Sequence, residues 1–171
     1  MEETVTPQDT PEPLPEGRLE GRRAFADLVR AALATAVREG WPHIVVSDPD
    51  FEDWPLGERA VIESLNAWAG RGRRIQFLAH GYERLRLTHP RLVQWRVTWS
   101  HIVEAHACRH VSGNELPSAI WSPQWSMDRI DVEHCVMVCS RAPERRAALQ
   151  ERLEDCWQQG APSFAATTLG L

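Results

Sequence analysis

Residues 43–79, HIVVSDPDFEDWPLGERAVIESLNAWAGRGRRIQFLA, contain three elements that set the architecture of this chain. The β-branched run at 43–47 lies between two prolines and is typical of a buried strand. Apolar residues recur at helical spacing over 58–69 before Gly70, and 73–79 is a second short apolar run. A strand, a helix and a strand in this order favour parallel pairing through a right-handed crossover.

The rest of the sequence continues the alternation of helical and extended patterns. Pro90 is suited to the first turn of a helix. The pattern predicts, in order, helix 20–39, strand 43–47, helix 58–69, strand 73–79, one or two helices over 82–99, strands 100–108, 118–122, 127–130 and 134–139, and helix 143–157. We therefore predict an α/β fold with a mainly parallel or mixed sheet flanked by helices, in which the later, shorter strands run antiparallel.

The two ends of the chain differ in composition from its centre. Residues 1–18 contain four prolines and five acidic residues, which predicts a disordered acidic tail. Residues 19–160 have the size and apolar content of a single α/β domain. Residues 161–171 are predicted to form an extended C-terminal tail that packs back on the domain through Phe164 and Leu169.

The composition excludes several chemistries. All 19 basic residues are arginine, so Schiff-base catalysis and a P-loop nucleotide site are excluded. Neither a membrane span nor a secretory signal is indicated, and we expect a cytoplasmic protein without a membrane partner. The four cysteines form no C-x-x-C pair and are expected to be buried thiols. We expect no cofactor.

Three aspartates, Asp48, Asp50 and Asp53, follow the first predicted strand, where open α/β sheets bind ligands. The D-x-D pattern resembles the nucleophile loop of haloacid-dehalogenase-like phosphatases, which implies a metal-assisted phosphatase or hydrolase using Asp48 and Asp50. The element order differs from that family, and the chain has no lysine. In the structural alternative, Pro49 forces a turn and the acidic residues favour a helix start.

A histidine-rich segment, HIVEAHACRH, spans residues 101–110. If it forms a strand, Glu104, His106, Cys108 and His110 share one face. These four side chains spread over roughly 13 Å, so at most two can reach one metal ion, and a remote ligand such as His134 or Asp48 is needed. The alternative is a half-exposed polar strand face. We retain His101 as a candidate ligand-binding residue.

An arginine-rich segment spans residues 71–96, with seven arginines and a single acid, Glu83. Arginine binds phosphate bidentately, and neighbouring aromatic rings can stack on bases. The segment is therefore a candidate site for a phosphate-bearing ligand or nucleic acid, with Arg73, Arg74, Arg91 and Arg96 as binding residues. The net charge of −5 opposes strong nucleic-acid affinity, and the alternative is pairing with acids of the same molecule.

Four stretches resemble a set of uncharacterised bacterial proteins whose domain is similar to half of a phospholipase-D-like fold. The stretches are IVVSDPDFEDWPLGERA (44–60), RRIQFLA (73–79), HPRLVQWRVTWSH (89–101) and LPSAIWSPQWSMDRID (116–131). Phospholipase-D enzymes use a His-x-Lys motif with a downstream aspartate, and two copies meet in one site. This chain has no His-x-Lys motif. The resemblance therefore implies a degenerate phospholipase-D-like half: a non-catalytic binding or assembly module that forms a homodimer.

Overall fold

The computed structural model describes residues 11–112 and 115–166. In these ranges one eight-stranded sheet is flanked by five helices. The elements are β1 (Gly17–Glu20), α1 (Arg22–Glu39), β2 (His43–Ser47), α2 (Arg59–Trp68), β3 (Arg74–Ala79), α3 (Glu83–Thr88), α4 (Pro90–Thr98), β4 (Val103–Ala107), β5 (Ala119–Trp121), β6 (Ser126–Asp131), β7 (Val136–Ser140), α5 (Pro143–Gln159) and β8 (Ala161–Pro162).

The sheet is mixed, as predicted. Its strand order is β1-β7-β6-β5-β2-β3-β4-β8. Strands β2, β3 and β4 pair in parallel, with Ile44 opposite Ile75 and Phe77 opposite Ala105. The remaining neighbours pair antiparallel. Each of β2, β3 and β4 follows a helix, because a parallel connection needs a long crossover, whereas hairpins join β5, β6 and β7.

Helices cover both faces of the sheet. Helices α1 to α4 bury their apolar sides against one face, where Phe25, Trp41 and Phe77 belong to the larger core cluster. Helix α5 packs Leu149 and Leu153 against the other face, beside Trp121 in a smaller cluster. None of the helices in the described part of the chain combines the length and apolar character that crossing a bilayer requires.

Strand β1 begins outside the domain boundaries expected from the sequence, and strand β8 lies outside them. Strand β1 pairs with β7 and begins at Gly17, inside the stretch expected to be a disordered tail. Before it, Leu14 is buried and the Pro15 carbonyl accepts a hydrogen bond of 3.0 Å from Trp125 Nε1. At the other end, β8 pairs with β4. Residues 1–10 and 167–171 lie outside the described ranges, and Leu169 is among them.

Gly40 ends α1 in the left-handed conformation, with φ 65°, and its N–H donates to the Ala36 carbonyl. Replacing Gly40 with alanine is expected to lower the free energy of unfolding by about 1–2 kcal/mol, because a Cβ strains this conformation. Chemical denaturation measures the change. Gly70→Ala is the control, since Gly70 has open space and no positive φ. An equal loss in both variants would contradict the conformational explanation.

Candidate nucleic-acid interface

Three parallel helices begin at one end of the molecule. Helices α1, α2 and α4 lie on the same face of the sheet and lead into the parallel strands β2, β3 and β4. Their N-termini therefore lie near the edge where these strands end. The loop at 48–58, after β2, lies among these helix starts. His89 Nε2, just before α4, donates to the Phe51 carbonyl at 2.8 Å, and the Phe25 ring of α1 lies 5.3 Å from the Trp54 ring.

Asp48 is buried in an ion-pair network centred on Arg129 of β6. Arg129 Nη2 donates to Asp48 Oδ1 at 2.9 Å, and Nη1 donates to Asp53 Oδ2 at 2.6 Å. Ser118 Oγ donates to Asp48 Oδ1 at 2.7 Å and accepts from Arg129 Nε at 3.0 Å. The other Asp48 oxygen accepts the backbone N–H groups of Asp50 and Phe51. Both oxygens of Asp48 are therefore occupied by protein donors.

The environment of Arg129 keeps its guanidinium charged. Its side chain is fully buried, and its Cζ lies 4.0 Å from the Phe25 ring centroid. Burial lowers the pKa of Arg129, but hydrogen bonding to Asp53 and the charges of Asp53 and Asp48 more than offset this, so the net pKa is raised. The network joins β2, β6 and the 48–58 loop, which is a structural role for the aspartates.

Glu52 and Glu58 of the 48–58 loop also pair with arginines. Glu52 accepts from Arg84 at 3.0 Å, and Glu58 accepts from Arg30 at 2.7 Å. The hydrogen bond from Arg30 lowers the pKa of Glu58. Asp50 Oδ1 accepts the backbone N–H of Glu52 at 3.0 Å. The negative charge of this loop is therefore largely compensated within the molecule.

Four arginines at the same end have no acidic partner among the described residues. Arg22 and Arg23 open α1, Arg59 opens α2 and Arg91 lies in the first turn of α4; all four are exposed. Arg91 Nη1 donates to the Gly57 carbonyl at 2.9 Å, which places it beside the start of α2. We call Arg22, Arg23, Arg59 and Arg91 the basic end. The helix dipoles add positive potential to it.

The structure separates the other arginines predicted as binding residues. Arg73 donates to the carbonyls of Gly40 at 2.9 Å and Trp68 at 3.2 Å, so it links two helix ends. Arg74 pairs with Glu104 at 3.1 Å. Arg96 is buried under the C-terminal segment, and His101 lies beside Trp99 with ring centroids 5.8 Å apart. Arg91 alone among the predicted candidates belongs to the basic end.

Sequence reasoning missed Arg22, Arg23 and Arg59. They lie outside the arginine-rich segment, and Arg59 follows an acidic loop that concealed it. These three arginines share one feature that the sequence shows: each lies in the first turn of a helix that precedes a parallel strand. Counting arginines by helix start rather than by sequence window would have grouped them with Arg91.

The histidine-rich segment forms β4, with Glu104 and His106 on one face as predicted. The His106 ring stacks on Trp157 with centroids 3.6 Å apart, and His106 Nδ1 donates to the Trp157 carbonyl at 2.8 Å. His134 pairs with Asp131. Over residues 11–112 and 115–166, no group of three or more His, Cys, Asp or Glu side chains is placed to hold a metal ion. His106 is therefore held by packing on Trp157, and His134 by its acidic neighbour Asp131.

Comparison with solved structures identifies a similar fold. Neither a protein-family model nor a curated protein matches the sequence. A solved structure of TrmBL2, described as an archaeal chromatin protein that shows a novel mode of DNA binding, matches with a TM-score of 0.65 and 13% identity. The chain shares its fold with part of TrmBL2. The match covers 91% of this chain and 57% of TrmBL2, so the chain spans little more than half the length of that protein.

The assignment to a degenerate phospholipase-D-like half was wrong. The fold match is to TrmBL2, and no family model supports the phospholipase-D resemblance. The sequence stretches behind that assignment form ordinary α/β elements, whose order is shared by unrelated folds. A homodimer was expected only from the pairing of phospholipase-D halves, so it is no longer favoured.

Proposed function

We propose that this chain is a non-catalytic domain that binds the phosphate backbone of nucleic acid through the basic end. One observation carries the proposal: four exposed arginines without acidic partners among the described residues lie in the first turns of α1, α2 and α4, which cover one face of the sheet. Guanidinium groups bind phosphate bidentately, and helix N-termini favour anions. DNA is the first nucleic acid to test, because the protein of similar fold is described as binding DNA.

The charge distribution is compatible with this role despite the net charge of −5. Exposed acids outside the basic end include Glu151 and Glu154 of α5. Local potential rather than net charge governs the approach of a polyanion to one surface. Contacts made only to phosphate carry no sequence information, so binding without sequence preference and with strong salt dependence follows.

The state of the aspartates supports a non-catalytic role. Asp48 and Asp53 are bound to Arg129, and Asp48 is 2% exposed. A nucleophilic or metal-binding carboxylate needs at least one oxygen open to substrate or ion, whereas both Asp48 oxygens accept hydrogen bonds from the protein. The loop that follows β2 therefore acts in folding and places α2 and α4 for the basic end.

Replacing Arg59 and Arg91 together with glutamine is expected to weaken binding to duplex DNA about tenfold or more near physiological salt, because two phosphate contacts are lost. Fluorescence anisotropy with a labelled duplex, repeated over a range of salt concentrations, measures the affinity. The slope of log K against log salt is expected to become shallower by about 0.9 for each arginine that contacts a phosphate.

Arg71→Gln is the matched control, since Arg71 is exposed beyond the C-terminal end of α2 and forms no ion pair with a described residue. Arg59→Gln and Arg91→Gln are also measured singly, and Arg71→Gln is expected to change the salt slope much less than either of them. If Arg71→Gln weakens binding as much as Arg59→Gln, net charge rather than the basic end governs the interaction. Absent or salt-independent binding by the unmodified chain would refute the proposal.

A further inference from the structure

Arg96 of α4 is a buried cation without a carboxylate partner among the described residues. The residue is 9% exposed, and its Nε donates to the Phe164 carbonyl at 3.1 Å. Its Nη1 is buried with no hydrogen-bond partner, and Nη2 donates to no described residue. A buried charge is costly unless it is paired and hydrogen-bonded. Nη1 is enclosed by the protein, so Nη2 is the unused donor of Arg96 that can reach a bound anion.

A second arginine increases the positive charge around Phe164. Arg86 of α3 has its Cζ 4.8 Å from the Phe164 ring centroid, and Arg96 has its Cζ 6.0 Å from the same centroid. Arg86 Nη2 donates to the Ala165 carbonyl at 3.2 Å. Burial, followed by the charge of Arg86, lowers the pKa of Arg96. In the described part of the chain both guanidiniums donate only to main-chain carbonyls, and neither forms an ion pair with an acid.

A cavity of about 420 Å³ adjoins Arg96 at the β4–β8 edge of the sheet. Ser163 lines it and has a hydroxyl that forms no hydrogen bond with the described residues. Glu104 also lines the cavity, but its carboxylate pairs with Arg74 at 3.1 Å. The cavity is larger than one inorganic phosphate and has a guanidinium and a hydroxyl on its wall, a combination suited to a phosphate group with a small substituent.

We propose that this cavity is a binding site for a small phosphate monoester, whose phosphate group accepts hydrogen bonds from Arg96 and Ser163. Arg86, whose Cζ lies 4.8 Å from the Phe164 ring centroid, strengthens the site through its charge. The site lies at the β4–β8 edge and uses none of the four arginines of the basic end. It is therefore independent of the proposed nucleic-acid binding, and either can fail alone.

Thermal unfolding of the full chain with glycerol phosphate tests the site, compared with sodium chloride and sodium acetate at equal ionic strength. Glycerol phosphate is expected to raise the Tm of the unmodified chain above that in chloride or acetate, because a ligand that binds only the folded state stabilises it. Arg96→Met is expected to abolish this rise. Titration calorimetry is expected to give at least tenfold weaker binding for Arg96→Lys and Arg96→Met. Arg71→Met is the control and is expected to keep both the rise in Tm and the affinity for glycerol phosphate.

The stability without ligand provides a second readout. Arg96→Met is expected to unfold in chloride at a Tm equal to or above that of the unmodified chain, because methionine removes an uncompensated buried charge. If Arg96→Met does not fold, the affinities of Arg96→Lys and Ser163→Ala for glycerol phosphate, measured by titration calorimetry, test the proposal instead. The proposal is overturned if glycerol phosphate raises the Tm no more than chloride, if acetate gives the same rise, or if the rise persists in the Arg96 variants.

Discussion

Replacing Arg129 with methionine is expected to lower the free energy of unfolding by about 3–5 kcal/mol, because it leaves Asp48 buried without its cation. The Asp48 side chain is 3% exposed, and the Arg129 side chain is fully buried. Methionine has a similar length and can retain the contact with the Phe25 ring. The loss therefore reports the missing charge and hydrogen bonds rather than a large cavity. Urea denaturation followed by tryptophan fluorescence measures it.

Arg152→Met is the control for the Arg129 experiment. Arg152 pairs with Asp128 at 2.7 Å, but its side chain is 52% exposed, and exposed pairs contribute about 1 kcal/mol or less. Adding Asp48→Asn to Arg129→Met is expected to restore part of the loss, since the neutral amide no longer needs a cation. If Arg129→Met costs no more than Arg152→Met, the network does not hold the 48–58 loop in solution.

Replacing Phe164 with alanine is expected to lower the free energy of unfolding by about 3–5 kcal/mol, the range for truncating a buried phenylalanine. Phe164 is 3% exposed. Its ring stacks on Tyr82 with centroids 5.0 Å apart and meets Phe77 edge-on at 6.3 Å. The substitution removes these contacts and the ring face that lies against Arg86 and Arg96. Chemical denaturation measures the change.

Leu87→Ala is the matched control for Phe164, because Leu87 is an apolar residue that is 82% exposed. Its substitution is expected to change the free energy of unfolding by no more than about 0.5 kcal/mol. Equal stability of Phe164→Ala and the unmodified chain would mean that residues 161–166 do not pack on the sheet in solution. A large loss would place the C-terminal segment within the cooperative fold.

The local elements were predictable because their signals lie within a few residues of one another. The β2 range, 43–47, was predicted to the residue, and the predicted helix at 143–157 differs from α5 only at its C-terminal end. Strands β1 and β8 were missed because they are short and lie in polar or proline-containing segments. Strand β1 is defined by its pairing with β7, and β8 by its pairing with β4. Pairing between distant segments produces no hydrophobic periodicity within a short stretch of sequence.

The candidate sites were less predictable than the fold. Asp48 was correctly placed at a strand end, but its sequence neighbours did not reveal that Arg129, 81 residues later, neutralises it. The same limitation applies to the arginines: Arg74 and Arg91 belong to the same arginine-rich segment, yet one is paired with Glu104 and the other is not. Ion pairing depends on distances below about 4 Å, which local sequence does not specify.

The sequence by itself determined the α/β class, the positions of the main helices and central strands, and the absence of lysine chemistry, because periodicity and composition are properties of the chain. Only the tertiary structure decided which charged side chains have an ion-pair partner. It paired Asp48 and Asp53 with Arg129, brought Arg22, Arg23, Arg59 and Arg91 to one end, and buried Arg96 beneath Phe164. The physical reason is that a charge acts through its surroundings in space, and those surroundings come from segments far apart in the chain.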